Sequence, residues 1–401
     1  MPPDDAGTAC SMPGGWVDVA TGTAYERRVL FHDLATSKSV VLLGESHDNV
    51  DHHRWQLHTL AAVHGRVEKM VIGFEAFPRR LQPVLDQWVE GMLTADALLK
   101  EARWLEIWGY DPGFYMPMFE FARLHEIPMV ALNVERALVS QVGEKGWAAV
   151  PAEEREGVSD PAPASPAYEH HLARVFQAKD HSRNDESEPD RDPHGEAGLE
   201  AAEKALAEAM EKPEFRRFVE AQLTWDRAMA EALAAARREF PGTIVAGILG
   251  TGHVEDGYGV PYQLQDLGVA DVAVLIPVEA GSKCRQIVGT GYADAVFTLP
   301  PALAAPSSDR PKLGIFIADG EHGVRINEVI ADSVAEATEL READEIVAAA
   351  GVATKTMGEL IEIVSRQAPG TWLPLRVRRD GQQIELIAKF PPRPLPQRPE
   401  R

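Results

Sequence analysis

Cysteine is scarce in this sequence. Two residues, Cys10 and Cys284, in a chain of 401 are too few for a disulfide framework or a Cys-rich zinc site, and they leave the redox compartment open. Long apolar runs are also missing. No stretch approaches the ~18 apolar residues of a membrane-crossing helix, so no transmembrane segment is expected. Residues 1–15 are rich in Pro, Asp and Gly and hold no apolar core of a secretory signal, which points to a cytoplasmic chain. Thr8-Ala9-Cys10 faintly resembles a lipoprotein cleavage site, but nothing before it can insert, so lipidation of Cys10 is not expected. Positive charge is short as well: 40 Lys and Arg against 62 Asp and Glu give a net charge of −22. Nucleic-acid binding needs clustered cations to neutralise phosphates, so it is not expected.

Several common site motifs are absent. There is no Walker A sequence. Gly44-Glu45-Ser46-His47-Asp48 is not G-x-S-x-G, because Asp48 replaces the last glycine. His125-Glu126 lacks a second histidine at the spacing of a helical zinc site. The glycines of 247–252 follow a strand, but Gly257, Gly259 and Pro261 come too soon for a long phosphate-binding helix, which argues against a dinucleotide site.

What the chain does contain is alternation. Apolar strands are expected at 39–43, 70–74, 127–132, 243–249 and 272–276. Between them lie helical stretches at 51–64, 78–99, 115–125 and 215–238, with a further helix at 200–211. This pattern predicts an α/β fold, a mostly parallel sheet flanked by helices. On the 215–238 helix, Phe218, Trp225, Met229 and Leu233 form the expected apolar stripe, with Leu223 off it. Residues 1–15 read as a disordered lead-in and 16–298 as the α/β domain, in which 151–199 is a polar, Pro-rich insertion. Residues 299–312 are a Pro-rich linker. Short strands at 313–391, an Asp380-Gly381 hairpin signal and one helix at 357–367 form a small β-rich domain, and 392–401 is a disordered tail.

In parallel α/β sheets ligands bind beyond the carboxyl ends of the strands. Four expected strands end in polar groups: Glu45 and His47; Glu75; Asn133 with Arg136; and Gly250-Thr251-Gly252-His253 with Glu255. Two histidines with carboxylates suit a divalent metal with an open position, so Glu45, His47, Glu75 and His253 are the expected ligand set. The bland alternative is that they only bond loop backbone. His52, His53 and His58 are expected to face solvent or a supporting layer, and His170, His171, His181 and His194 fall in the polar insertion. Aromatics gather at Trp104, Trp108, Tyr110, Phe114, Tyr115 and Phe119, mostly as core. Tyr110, Tyr115, Tyr258 and Tyr262 are the tyrosines that can face a ligand, and a phenolate against a flat apolar wall suits haem.

The stretches 39–53, 72–75, 127–136 and 247–253, with 222–230, resemble the ChaN-like haem-binding family, within the group that holds the Tiki and TraB proteins and, more distantly, erythromycin esterases. The resemblance implies haem or iron binding at a site that includes Tyr110, Tyr115, Asn133, Arg136 and Tyr258. Its alternative is a metal-dependent peptidase or esterase of the Tiki-like type, in which Glu45, His47, Glu75 and His253 are catalytic. It also implies the cell envelope, against the missing signal, and allows a homodimer. The last domain resembles the PDZ domains of bacterial envelope proteases, with Leu313, Gly314, Ile315 and Phe316 as the loop that receives a peptide or protein C-terminus.

Overall fold

The computed structural model describes residues 9–181, 204–300 and 311–392. By its internal contacts the chain divides into two units, Met1–Ala302 and Leu303–Arg401. The first unit runs β1 (Trp16–Asp18), α1 (Arg27–Ser37), β2 (Val40–Glu45), α2 (Val50–His64), β3 (Met70–Pro78), α3 (Gln82–Val89), α4 (Ala95–Glu101), α5 (Trp104–Ile107), α6 (Pro112–Leu124) and β4 (Met129–Asn133). It continues with α7 (Arg136–Lys145), α8 (Pro166–His181), α9 (Pro213–Glu239), β5 (Ile244–Gly250), α10 (Val260–Asp266), β6 (Val272–Glu279), α11 (Ser282–Ile287) and β7 (Ala295–Leu299).

The strands form one seven-stranded sheet in the order β1-β7-β6-β2-β5-β3-β4. All pairs are parallel except β1 with β7. Every residue of β2, β3 and β5 is buried, as expected of strands covered on both faces. One core packs Val41, Ile72, Phe74 and Leu275 against the aromatic helices. The other packs Val40, Leu42, Val71 and Leu249 against Met229 and Leu233 of α9.

Four differences from the sequence reading have physical causes. The strand at 70–74 continues through Glu75 to Pro78, so Glu75 lies within β3 and not beyond it. The expected helix at 78–99 is broken into a 3-10 turn at Arg79–Leu81 and the separate helices α3 and α4. On α9 the apolar surface is broader than one stripe: Leu223 is buried with Phe215 and Val219, because α8 packs there as well. Residues 166–181 of the expected polar insertion form α8, with Tyr168, Leu172 and Ala173 buried in that same cluster. The second half of the insertion, including His194, and the 1–8 lead-in lie outside the described residues.

Both sheet edges are covered. At β4, the Gln82 side chain donates to Met129 O at 2.8 Å and accepts from Ala131 N at 2.9 Å, taking the place of a further strand. At the other edge, residues 23–25 fold back on β1, with Asp18 N bonded to Thr23 O and Tyr25 N to Trp16 O.

The second unit holds β8 (Ile315–Asp319), β9 (Val324–Val329), α12 (Val334–Ala337), β10 (Glu345–Ala349), β11 (Val352–Ala353), α13 (Met357–Ser365), β12 (Trp372–Arg379) and β13 (Gln382–Lys389). Its antiparallel sheet runs β13-β12-β10-β9-β8, with β11 on β10. Asp380-Gly381 turns β12 into β13, as the hairpin signal predicts, with both residues at positive φ.

The two cysteines are joined: Cys10 and Cys284 form a disulfide across a sequence separation of 274, and both are fully buried. The Cys10 sulfur is therefore engaged and not open to a lipid. Gly281 N also bonds Cys10 O at 2.8 Å, so the bridge ties the start of the described chain to the turn after β6. For so long a loop the chain-entropy model gives about 5 kcal/mol. Replacing both cysteines by alanine is expected to cut the unfolding free energy of the first unit by about 3–5 kcal/mol in urea titrations under oxidising conditions. A loss under about 1 kcal/mol would show that the bridge constrains little.

Candidate functional site

The carboxyl ends of β2, β5, β3 and β4 are consecutive in the sheet, and they bring Glu45, His47, Glu75 and His253 together. Glu45, the last residue of β2, is buried at 3% exposure. A buried carboxylate needs partners, and Glu45 has three. Tyr115 on α6 donates its hydroxyl to Oε1 at 2.5 Å. His47 Nδ1 lies 2.7 Å from the same oxygen. His53 Nδ1, on α2, faces Oε2 at 3.3 Å. An ionised carboxylate only accepts, so His47 carries its proton on Nδ1. Burial pushes the Glu45 carboxyl up, but the bonds to His47 and His53 outweigh it and hold it far below the usual range.

His253 is held in the same way by another buried acid. Its Nδ1 lies 2.6 Å from Oδ1 of Asp226 on α9, which is fully buried. Oδ2 of Asp226 accepts the Tyr168 hydroxyl at 2.7 Å. Glu75 lies between the two imidazoles: its Oε1 is 4.0 Å from His47 Nε2 and 3.6 Å from His253 Nε2. Its Oε2 accepts Gly250 N at 2.7 Å. At Gly250 a Cβ would sit 3.0 Å from the His47 ring and crowd the imidazole. Burial lowers the proton affinity of His47, but its bond to Glu45 and the charges of Glu75 and Glu45 reverse this, and its pKa is raised.

The metal-ligand expectation finds no support here. Among the described residues, no group of three or more His, Cys, Asp or Glu is arranged to hold a metal ion. Both Nδ1 atoms are taken up by carboxylates and one oxygen of Glu75 is held by backbone, which leaves the two Nε2 atoms facing Glu75 Oε1.

The other expected residues separate into core and surface. Tyr115 is 1% exposed and belongs to the packed aromatic core with Trp104 and Phe119. Asn133 is buried and spent on structure: its Nδ2 donates to Glu75 O and its Oδ1 accepts Val134 N, both at 2.9 Å. Arg136 is exposed at the start of α7. Tyr110 is half-buried, 5.1 Å from the His47 ring, with Trp108 at 4.7 Å on the same imidazole. Tyr258 stacks on Tyr168 at 5.2 Å, and Tyr262 is exposed on α10. Glu255 faces His171 at 3.4 Å, and its carboxyl is pushed up to about 7, first by burial and then by Asp256. His52 Nδ1 accepts Ser46 N at 2.9 Å, and burial pushes its pKa down to about 4. His53, at 2% exposure, is a supporting residue and does not face solvent.

Asp226 and Tyr168 had no assigned role in the sequence reading. Asp226 could have been found as an acid in the apolar stripe of α9, where a charge needs a reason. Tyr168 gave no signal, because it sits among proline and charge in a stretch that reads as unstructured.

In the second unit, Leu313 is buried and Gly314 has φ +81° with Ser333 so close that a Cβ would lie 2.3 Å from the serine Cβ. Ile315 and Phe316 open β8, the last strand of the sheet, and Phe316 is 57% exposed. Helix α13 is tied to that strand by Met357 N donating to Asp319 Oδ1 at 2.9 Å.

The Glu45–His47 pair makes stability depend on pH. His47 binds its proton more tightly folded than unfolded, so its contribution is full below its ordinary value of 6.5 and is lost as pH rises through the raised folded value. Glu45 acts the other way: its contribution is present above its ordinary value of 4.5 and is lost as pH falls through the folded value. Glu45→Gln is expected to cost about 3–5 kcal/mol at pH 6, the scale for breaking a buried ion pair. The gap from wild type should narrow by pH 9 in urea unfolding, whereas a gap independent of pH would contradict the pairing.

The family model described as haem-binding uptake, Tiki superfamily, ChaN matches residues 31–264, and a PDZ domain model matches residues 311–389. No curated protein sequence matches the chain. Among solved structures, the fold is similar to one titled "Cofacial heme binding to ChaN of Campylobacter jejuni", at 18% identity and TM-score 0.50, covering 70% of this chain and 95% of that one. The HtrA-type protease AlgW, solved with a decapeptide, is 23% identical over 22% of this chain and 30% of its own, with TM-score 0.20. A serine endoprotease from Yersinia pestis is 23% identical over 25% of this chain and 38% of its own, with TM-score 0.19. The present chain therefore spans less than half the length of either protease. Over more than half of its length it follows the first family model, and it belongs to the ChaN haem-binding uptake family of the Tiki superfamily, with a PDZ domain at its C-terminal side.

Proposed function

We propose that the strand-end site binds haem and that the PDZ unit docks an extended peptide. The observation that carries the haem reading is the aromatic wall of Trp108 and Tyr110 against the partly exposed His47. A porphyrin needs a flat apolar surface, an axial ligand and cations for its carboxylates, and this corner offers each. Of the chain's seven tyrosines, Tyr115 and Tyr168 are buried on carboxylates. Tyr25 donates to Asp33, and Tyr292 bonds Glu255. Tyr258 stacks on Tyr168, and Tyr262 stands on the surface of α10. Tyr110 is the one that meets the His47 ring, and it is the tyrosine that would hold the haem iron.

Bound haem would supply a Lewis-acidic iron to the phenolate of that tyrosine. The protein's own residues set up the surroundings. Burial raises the Tyr110 phenol pKa, the charges of Asp48, Glu75 and Glu45 add to the rise, and Arg136 opposes it. Arg136 is exposed and its charge reaches Tyr110, which supports it as the cation for a propionate. Glu45, Tyr115 and His53 hold the His47 imidazole in one orientation beside the wall.

The peptide reading is supported by β8 as an edge strand, by the Gly314 turn before it and by exposed Phe316 beside it, the features that allow a peptide to join as a further strand. The buried Cys10–Cys284 bridge supports work in an oxidising compartment.

Haem added to the full chain is expected to give a Soret band. Tyr110→Phe should shift that band and weaken binding at least about tenfold, a loss of ~1.4 kcal/mol, while Tyr262→Phe leaves both unchanged. An identical band and affinity in Tyr110→Phe would reject the ligand assignment, and the absence of any band in wild type would reject haem binding.

A further inference from the structure

The two imidazoles of the site are held by matching devices from unrelated parts of the chain. On one side Tyr115 donates to Glu45, and Glu45 takes the Nδ1 of His47. On the other side Tyr168 donates to Asp226, and Asp226 takes the Nδ1 of His253. Both tyrosines are buried, at 1% and 2% exposure, and both imidazoles turn Nε2 toward the same Glu75 oxygen. Tyr168 belongs to α8, within the stretch that reads as a polar insertion.

We propose that α8 is a working part of the strand-end site and that Tyr168 is a positioning residue for His253, as Tyr115 is for His47. Three contacts seat the helix there: the Tyr168 hydroxyl on Asp226, the Tyr168 ring stacked on Tyr258, and His171 facing Glu255 at 3.4 Å. The reason for a tyrosine is directional. Asp226 is fully buried, and each of its oxygens has one partner: the hydroxyl takes Oδ2 and leaves Oδ1 to the imidazole. With Oδ1 a pure acceptor, neutral His253 carries its proton on Nδ1 and presents the Nε2 lone pair to the bound ligand. The groups around this imidazole include Asp226 from α9, Glu75 from β3, His47 from the turn after β2, and the Trp225 ring at 5.0 Å. The proposal deepens the haem reading by giving both imidazoles one tautomer and one direction, and it rests on that reading only for what the imidazoles face.

The test is made without haem, on full-length protein labelled with 15N in its histidines, so its failure is distinct from a failure to bind haem. Long-range NMR correlations read the tautomer of each neutral imidazole. Wild type is expected to show the Nδ1–H form for His253. In Asp226→Asn the Tyr168 hydroxyl keeps the amide oxygen, so the amide NH2 faces the ring and His253 changes to the Nε2–H form. Adding Tyr168→Phe releases the amide to turn over, and the Nδ1–H form returns. His47 is expected to keep its signals throughout. A His253 tautomer in Asp226→Asn that is the same with and without the Tyr168 hydroxyl would overturn the proposal. Should the asparagine variants not fold, Tyr168→Phe alone decides. A moved His253 titration midpoint with His47 unmoved supports it, and an unchanged His253, or equal movement of both, overturns it.

Discussion

A buried negative charge at the end of β2 organises the first unit. Glu45 is nearly inaccessible and ionised, and taking an unpaired carboxylate out of water costs several kcal/mol. That cost fixes what must surround it. A tyrosine arrives from α6 and a histidine from the turn after β2, each with one hydrogen bond, and a second histidine from α2 faces the other oxygen at 3.3 Å. Helix α6, 70 residues away in sequence, is thereby held to the end of β2. Asp226 repeats the arrangement from within α9, so the sheet carries two such anchors on either side of Glu75. The orientation of the imidazoles follows from the need to neutralise buried acids.

The fold was legible in the sequence because its strands are buried on both faces and read as unbroken apolar runs. Glu45, His47, Glu75 and His253 were legible as a neighbourhood because the strands that carry them end in polar groups. Their roles were not legible. Nothing in local sequence tells that Glu45 turns inward to Tyr115, or that both Nδ1 atoms are spent on carboxylates. Tyr168 was hidden for a different reason. Its neighbours are prolines and charges, and only packing against α9 makes 166–181 a helix with a buried face. The disulfide was equally invisible, since pairing of residues 274 apart depends on the tertiary fold alone.

The two units differ in how they present groups to a partner. In the first, polar side chains converge at the ends of strands whose backbone is fully paired inside the sheet. In the second, the backbone of β8 is itself on offer at a sheet edge, with α13 tied alongside by Asp319. A site of side chains selects by chemistry and shape, whereas an open strand selects by register and by the pockets beside it.

Gln82 has a consequence for assembly. Its amide supplies β4 with the donor and acceptor that a neighbouring strand would bring, and the fold-back at residues 23–25 does the same for β1. With both rims of the large sheet stopped by the chain's own atoms, copies of this unit have no ladder to extend. Among the described residues, an open strand edge is then left in the small antiparallel sheet, at β8.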